Sequence, residues 1–181
     1  MPLFSFEGVS PTVHPTAFVA PNAVLVGDVR IEAEASIWYG AVLRADFAPI
    51  IVRWGANVQD CSVVHGGVPV EIGEGATVAH ACIVHGATIG PEALIANGTT
   101  LLDECVIGAR AMVAAHSLVP ARMEIPPGMF AAGAPAVIKR PVEGSGAQMW
   151  VDVNPQAYRD LGARHRLGIS QVERDSPPPL P

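Results

Sequence analysis

Three of the six histidines, His65, His80 and His85, lie close together in the chain, and Arg44, Asp46, Gln59 and Asp60 stand just ahead of them. Neutral imidazole is a common ligand of zinc. Three such ligands with one coordination position left open make a centre that lowers the pKa of a bound water and so supplies a hydroxide nucleophile. A lone histidine is more often a surface or hydrogen-bonded residue, so a shared site requires a fold that brings the three together. His14, His116 and His165 have no such partners in the sequence and read as surface or structural residues. The three cysteines fit neither a disulfide framework nor a thiolate zinc motif. Cys82 and Cys105 read as packing residues, and no motif supports Cys61 as a nucleophile.

The scaffold is read from an internal repeat. Branched apolar residues recur every six positions through Val13, Val19, Leu25, Ile31, Ile37 and Leu43, again through Val52, Val58 and Val64, then Ile72, Val78 and Val84, and finally from Ile89 to Ile125. Four residues after most of them stands a small residue, such as Ala35, Ser62, Cys82, Thr88 or Cys105. A period of six is neither helical nor simple strand alternation. One large and one small inward residue per repeat describe a solenoid wall around a narrow interior. Glycines at second positions, Gly73, Gly90 and Gly108, suggest a bend in every repeat. From about residue 10 to 137 the pattern resembles the hexapeptide motif of the left-handed parallel β-helix family. That resemblance implies an all-β solenoid with three hexapeptides to a triangular coil. The repeat slips after Leu43, Val64 and Val84, always on one face, which points to a shaped site there.

His65 and His85 each follow the apolar residue of that face, one coil apart. Adjacent strands lie about 4.8 Å apart, so the two rings are expected side by side. Two nitrogens on one tetrahedral zinc stand about 3.3 Å apart, within reach of neighbouring rungs. His80 belongs to another face, in a column with Asp60 and Asn97. A neighbouring prism could supply it, and three such contacts close a ring.

The segments LRAD at 43–46, ANVQD at 56–60, His65, and AHACIVHG at 79–86 are similar to the signature of gamma-class carbonic anhydrases. The resemblance implies a zinc-dependent carbonate dehydratase that converts carbon dioxide to bicarbonate. It implies a homotrimer, with His65 and His85 from one subunit and His80 from the next, and a three-histidine site accepts iron or cobalt as well. By the same resemblance Gln59 hydrogen-bonds the nucleophile or bicarbonate, Arg44 pairs with Asp60 across the interface, and Asp46 supports Arg44 or a histidine. Equally, Arg44, Asp46 and Asp60 only join the subunits. Phe47 stands where some members carry a glutamate, and the loop from Gly66 to Val70 carries no acid. Tyr158 is then either a proton-transfer residue, as in short-loop relatives, or a helix-packing aromatic.

Two rivals stand beside this reading. One is a hexapeptide-repeat acyltransferase with a coenzyme-A donor and a single histidine base. The other is a catalytically silent or repurposed metal-binding relative, thioesters being one possible substrate.

Length and composition bound the rest. A chain of 181 residues, 50% hydrophobic and 15% charged, suits one folded domain. A net charge of −6 without runs of Lys or Arg gives no reason to expect nucleic acid. The chain has no apolar stretch long enough for a membrane span and no signal-peptide pattern, so a cytoplasmic protein is expected. Residues 1–141 are expected to form the β-helix, 142–168 a linker and a packed helix, and 169–181 a Pro-rich tail. Asn154-Pro155 predicts the helix start, with the helix running from Gln156 to Leu167.

Overall fold

The computed structural model describes residues 2–172. The Pro-rich tail expected over 169–181 lies mostly outside the described residues.

Short parallel strands stack coil upon coil into three faces of a left-handed β-helix. The first face carries Val42–Val52 in its opening part, Val63–His65, Ile83–His85, Thr100–Leu101 and Leu118–Val119. The second carries the end of Val42–Val52, then Val70–Ile72, Thr88–Ile89, Val106–Ile107 and Glu124–Ile125. The third runs from Phe18–Val19 through Ser36–Ile37, Asn57–Val58, Thr77–Val78, Leu94–Ile95 and Met112–Val113 to Met129–Gly133. There the chain turns back, and Ala136–Pro141 pairs antiparallel with Met129–Gly133.

The interior is the repeat made solid. Leu25, Ile37, Leu43, Val58, Val64, Val84, Ile95 and Leu101 are fully buried, and so are Ala23, Ala35, Ala41, Cys82 and Cys105. Each large side chain contributes about 1.5–3 kcal/mol relative to its exposed state. Inward polar residues bond to neighbouring coils: Ser62 Oγ donates to the Ala79 carbonyl at 2.6 Å and accepts from Cys82 N at 3.0 Å. One small residue is corrected. The residue missing after Val84 turns Thr88 outward and puts Ala87 into the core.

The bends also differ from the sequence expectation. Gly73, Gly90 and Gly108 have ordinary backbone angles, and they are glycines because coils touch there. A Cβ on Gly108 would stand 2.3 Å from Pro127 N. The left-handed corners fall elsewhere and are made as readily by Glu34, Cys61, Ala81, Glu92 and Glu104 as by glycine. Stacked corners support one another, as in the bond from Ala81 N to the Asp60 carbonyl at 2.9 Å.

The only helix among the described residues, α1, spans Gln148–Gly168. It starts earlier than Asn154-Pro155 suggests, and Pro155 lies inside it. Ser145 Oγ accepts from Ala147 N, and Gln148 Oε1 accepts from Gly144 N, so the entry turn is held by side chains. Pro155 packs against the corner at Gly75, and Gly162 lets the helix approach Ser36 closely. Near the far end the His165 ring sits among Phe18, Trp38 and Tyr39, its Nδ1 3.1 Å from the Tyr39 hydroxyl. Arg159 lies over Trp54, and Arg110 pairs with Asp152. The helix thus runs back along the third face. No helix among the described residues is long and apolar enough to cross a membrane.

Candidate functional site

The strands Val63–His65 and Ile83–His85 pair in register, with His65 opposite His85. This places His65 Nδ1 3.3 Å from His85 Nε2. The remaining nitrogen of each ring meets a carboxylate. His65 Nε2 is 2.8 Å from Asp46 Oδ1, and His85 Nδ1 is 2.8 Å from Asp103 Oδ1. If each ring donates its single proton to its carboxylate, the two facing nitrogens both present lone pairs. Two acceptors at that distance repel unless a cation lies between them, so the donor set fits a metal ion. Burial first, then the charges of Arg44 and His85, hold the His65 imidazole below its ordinary pKa. This favours the neutral ring that a ligand must be.

Asp46 also pairs with Arg44. Both lie on the long strand whose extra residues carry the chain around the first corner. Phe47, 76% exposed on that excursion, stands with its ring 6.0 Å from the His65 ring. Asp60 lies apart from Arg44's carboxylate partner. Within one chain it pairs with His80, Oδ2 to Nδ1 at 2.9 Å. His80 Nε2 thereby has no partner among the described residues, on a half-exposed ring, and Asn97 Oδ1 accepts from the His80 backbone N–H. Among the described residues of one chain, no group of three or more His, Cys, Asp or Glu side chains could hold a metal ion. The structure brings His65 and His85 together and leaves His80 in the turn that follows the third-face strand Thr77–Val78.

Beside His80, α1 and the third face enclose a groove of about 280 Å³. Its apolar walls are Leu94, Met112 and Trp150, and its polar residues include Gln59, Asn97 and Tyr158. Tyr158 also packs edge-on against Trp38, so its packing role and its place in the groove coexist. Burial first, then the charge of Asp60, push its hydroxyl above the ordinary pKa, so it stays protonated near neutral pH. Sequence reading missed Asp103, the carboxylate on His85, and the apolar walls of the groove. The one available signal for Asp103 was its position a coil beyond His85, at a corner.

No protein-family model matches the chain. The chain is 37% identical to the carnitine operon protein CaiE of Escherichia coli (strain K12) over 175 residues, 96% of this chain and 89% of that protein. CaiE of Proteus sp. (strain LE138) is 37% identical over 174 residues, 95% of this chain and 88% of that protein. Among solved structures, a hexapeptide transferase family protein from Anaplasma phagocytophilum is 38% identical with a TM-score of 0.85, over 89% of this chain and 96% of that one. A "putative acetyltransferase" of Bacillus cereus is 31% identical with a TM-score of 0.87, over 91% and 96%. These comparisons correct the expectation of a carbonate dehydratase: none of the four is named a lyase, and the names of the two solved structures point to a transferase.

Proposed function

Because this chain belongs to the hexapeptide-repeat family of the carnitine operon protein CaiE, we propose that it processes acyl thioesters at a metal centre shared between subunits of a trimer. The observation that carries the metal is the pair of imidazole nitrogens 3.3 Å apart, each ring held from behind by a carboxylate. About 3.3 Å is the separation of two nitrogens on one tetrahedral zinc. His80 has the same construction, with Asp60 behind Nδ1 and Nε2 without a partner among the described residues, and it cannot complete the set from within its own chain. His80 of the partner subunit is therefore the third ligand in this reading. Acyl-thioester chemistry follows from the company the chain keeps, a hexapeptide transferase and an acetyltransferase-like protein.

Zinc, when bound there, supplies Lewis-acid polarisation of a carbonyl. The chain's own residues do the rest. Asp46, Asp103 and Asp60 accept the far N–H of the three rings and fix which nitrogen faces the metal. Arg44 orients Asp46. Phe47 keeps the approach apolar. The Tyr158 hydroxyl remains a hydrogen-bond donor. In the overall reaction the acyl carbon passes from sulfur to an incoming oxygen or nitrogen, and the departing sulfur takes up the acceptor's proton.

The test is thiol release from acetyl-CoA, measured beside metal content. Release that needs zinc and is lost in both His65→Ala and His80→Ala supports the shared centre. A second reading is a metal-free acetyltransferase with His80 as base, oriented by Asp60 at the mouth of the groove. It requires activity that survives chelation and His65→Ala but not His80→Ala, and that result would overturn the metal-centred reading.

A further inference from the structure

The groove between α1 and the third face has a hydrogen-bond acceptor in its floor. Gln59 lies there, 2% exposed. A chain of bonds fixes how its amide is turned. Asn57 Nδ2 donates to Thr77 Oγ1 at 2.9 Å and to the Ala76 carbonyl at 3.4 Å. Asn57 therefore turns its Oδ1 toward Gln59, and Gln59 Nε2 donates to it at 3.0 Å. Gln59 Oε1 is left without a protein donor among the described residues. Since no sealed polar atom there lacks a partner, that oxygen opens onto the groove. An occupant of the groove that displaces water from that oxygen must offer it a donor in exchange.

The rest of the groove limits what can supply one. Leu94, Met112 and Trp150 offer packing for a carbon chain. No Lys or Arg lines the groove, which disfavours a phosphate or carboxylate. No Asp or Glu lines it either, and the nearby Asp60 is engaged by His80, which disfavours an ammonium group. A volume of about 280 Å³ is at the small end for ligand pockets, which run from about 300 to 1,000 Å³, so it suits a short group rather than a whole coenzyme. His80 lines the same groove, so one end of an occupant lies beside the third ligand of the proposed centre.

We propose that this groove is an acyl subsite selective for short acyl groups that carry a hydroxyl, with Gln59 Oε1 accepting the hydroxyl's hydrogen and Leu94, Met112 and Trp150 packing the carbon chain. Gln59 is then the residue that distinguishes a hydroxyacyl group from the plain one. The Tyr158 hydroxyl lies in the same groove and is available to donate to the bound hydroxyl. The proposal rests on the acyl-thioester reading for what the acyl group is attached to, and on the groove alone for its selectivity.

The experiment is an NMR titration of the full-length protein with two neutral, unreactive probes that carry no N–H donor, N,N-dimethyl-3-hydroxybutanamide and N,N-dimethylbutanamide. The expected result is that the hydroxylated probe binds about tenfold more tightly. Gln59→Met, which keeps the bulk and removes the acceptor, should abolish that preference by weakening the hydroxylated probe. Trp150→Ala, on the exposed side of α1, leaves the floor intact and should weaken both probes. Equal affinities in the wild type, a preference that survives Gln59→Met, or binding of both probes unaltered in Trp150→Ala would each overturn the subsite. Binding needs neither metal nor turnover. Selective binding without thiol release from any thioester would thus count against the acyl-thioester reading alone. Thiol release at equal rates from plain and hydroxylated thioesters would count against the subsite alone.

Discussion

An imidazole has two nitrogens, and whatever holds one decides what the other can offer. Asp103 Oδ1, 2.8 Å from His85 Nδ1, keeps a proton on that nitrogen and the lone pair on Nε2. In Asp103→Asn the amide N–H can donate to Nδ1 and drive the proton to Nε2, where a ligand needs none. Zinc affinity, measured by competition with a chelating dye, should fall about 10–100-fold. Unchanged affinity would show that the carboxylate does not orient the ring. His65 and His85 are legible in the sequence because strand register is periodic: equal places in successive hexapeptides must stack. Asp103 is not legible because it sits at a corner, beyond the part of the repeat that fixes side-chain direction. The pairing of Asp60 with His80 escapes for a different reason. Both belong to one column, and whether Asp60 turns to its own neighbour or to a partner's Arg44 depends on side-chain torsions that spacing does not set.

At the scale of the element, the repeat fixes the strands but not the reason for each glycine. Gly108 stands at a coil-to-coil contact where a Cβ would meet Pro127 N at 2.3 Å, and backbone cannot step aside as a side-chain tip does. Gly108→Ala should cost about 1–3 kcal/mol in urea unfolding, the range for overpacked interiors. Gly146→Ala, where nothing lies within 4 Å, should stay within about 0.5 kcal/mol. Equal losses would mean that the contact carries no strain. The helix start is hidden because Asn154-Pro155 has the composition of a first turn, while the actual entry is held by Ser145 and Gln148. Pro155 is tolerated inside α1, where its ring packs on the Gly75 corner. Tertiary packing overrides the local signal at that point.

The whole molecule is a stack in which each coil pairs mainly with the coil above and the coil below. Such a body is stabilised by neighbours rather than by one central core. The site follows the same logic sideways, since His65 and His85 lie on one face of the prism and His80 in the turn after another. A stack of identical rungs also has ends, and an uncovered rung is a template for another chain. The turn back into Ala136–Pro141 covers the last rung of the third face with a strand that runs the other way. The outer edge of that strand carries Lys139, Arg140 and Pro141, all exposed. Charge and a missing N–H are the usual means of blunting such an edge. Valine at all three positions should leave the prism folded and turn its end adhesive, with light scattering that rises with protein concentration and fibres visible by electron microscopy. The hairpin thus closes one of the three faces of a fold built by addition against the next molecule.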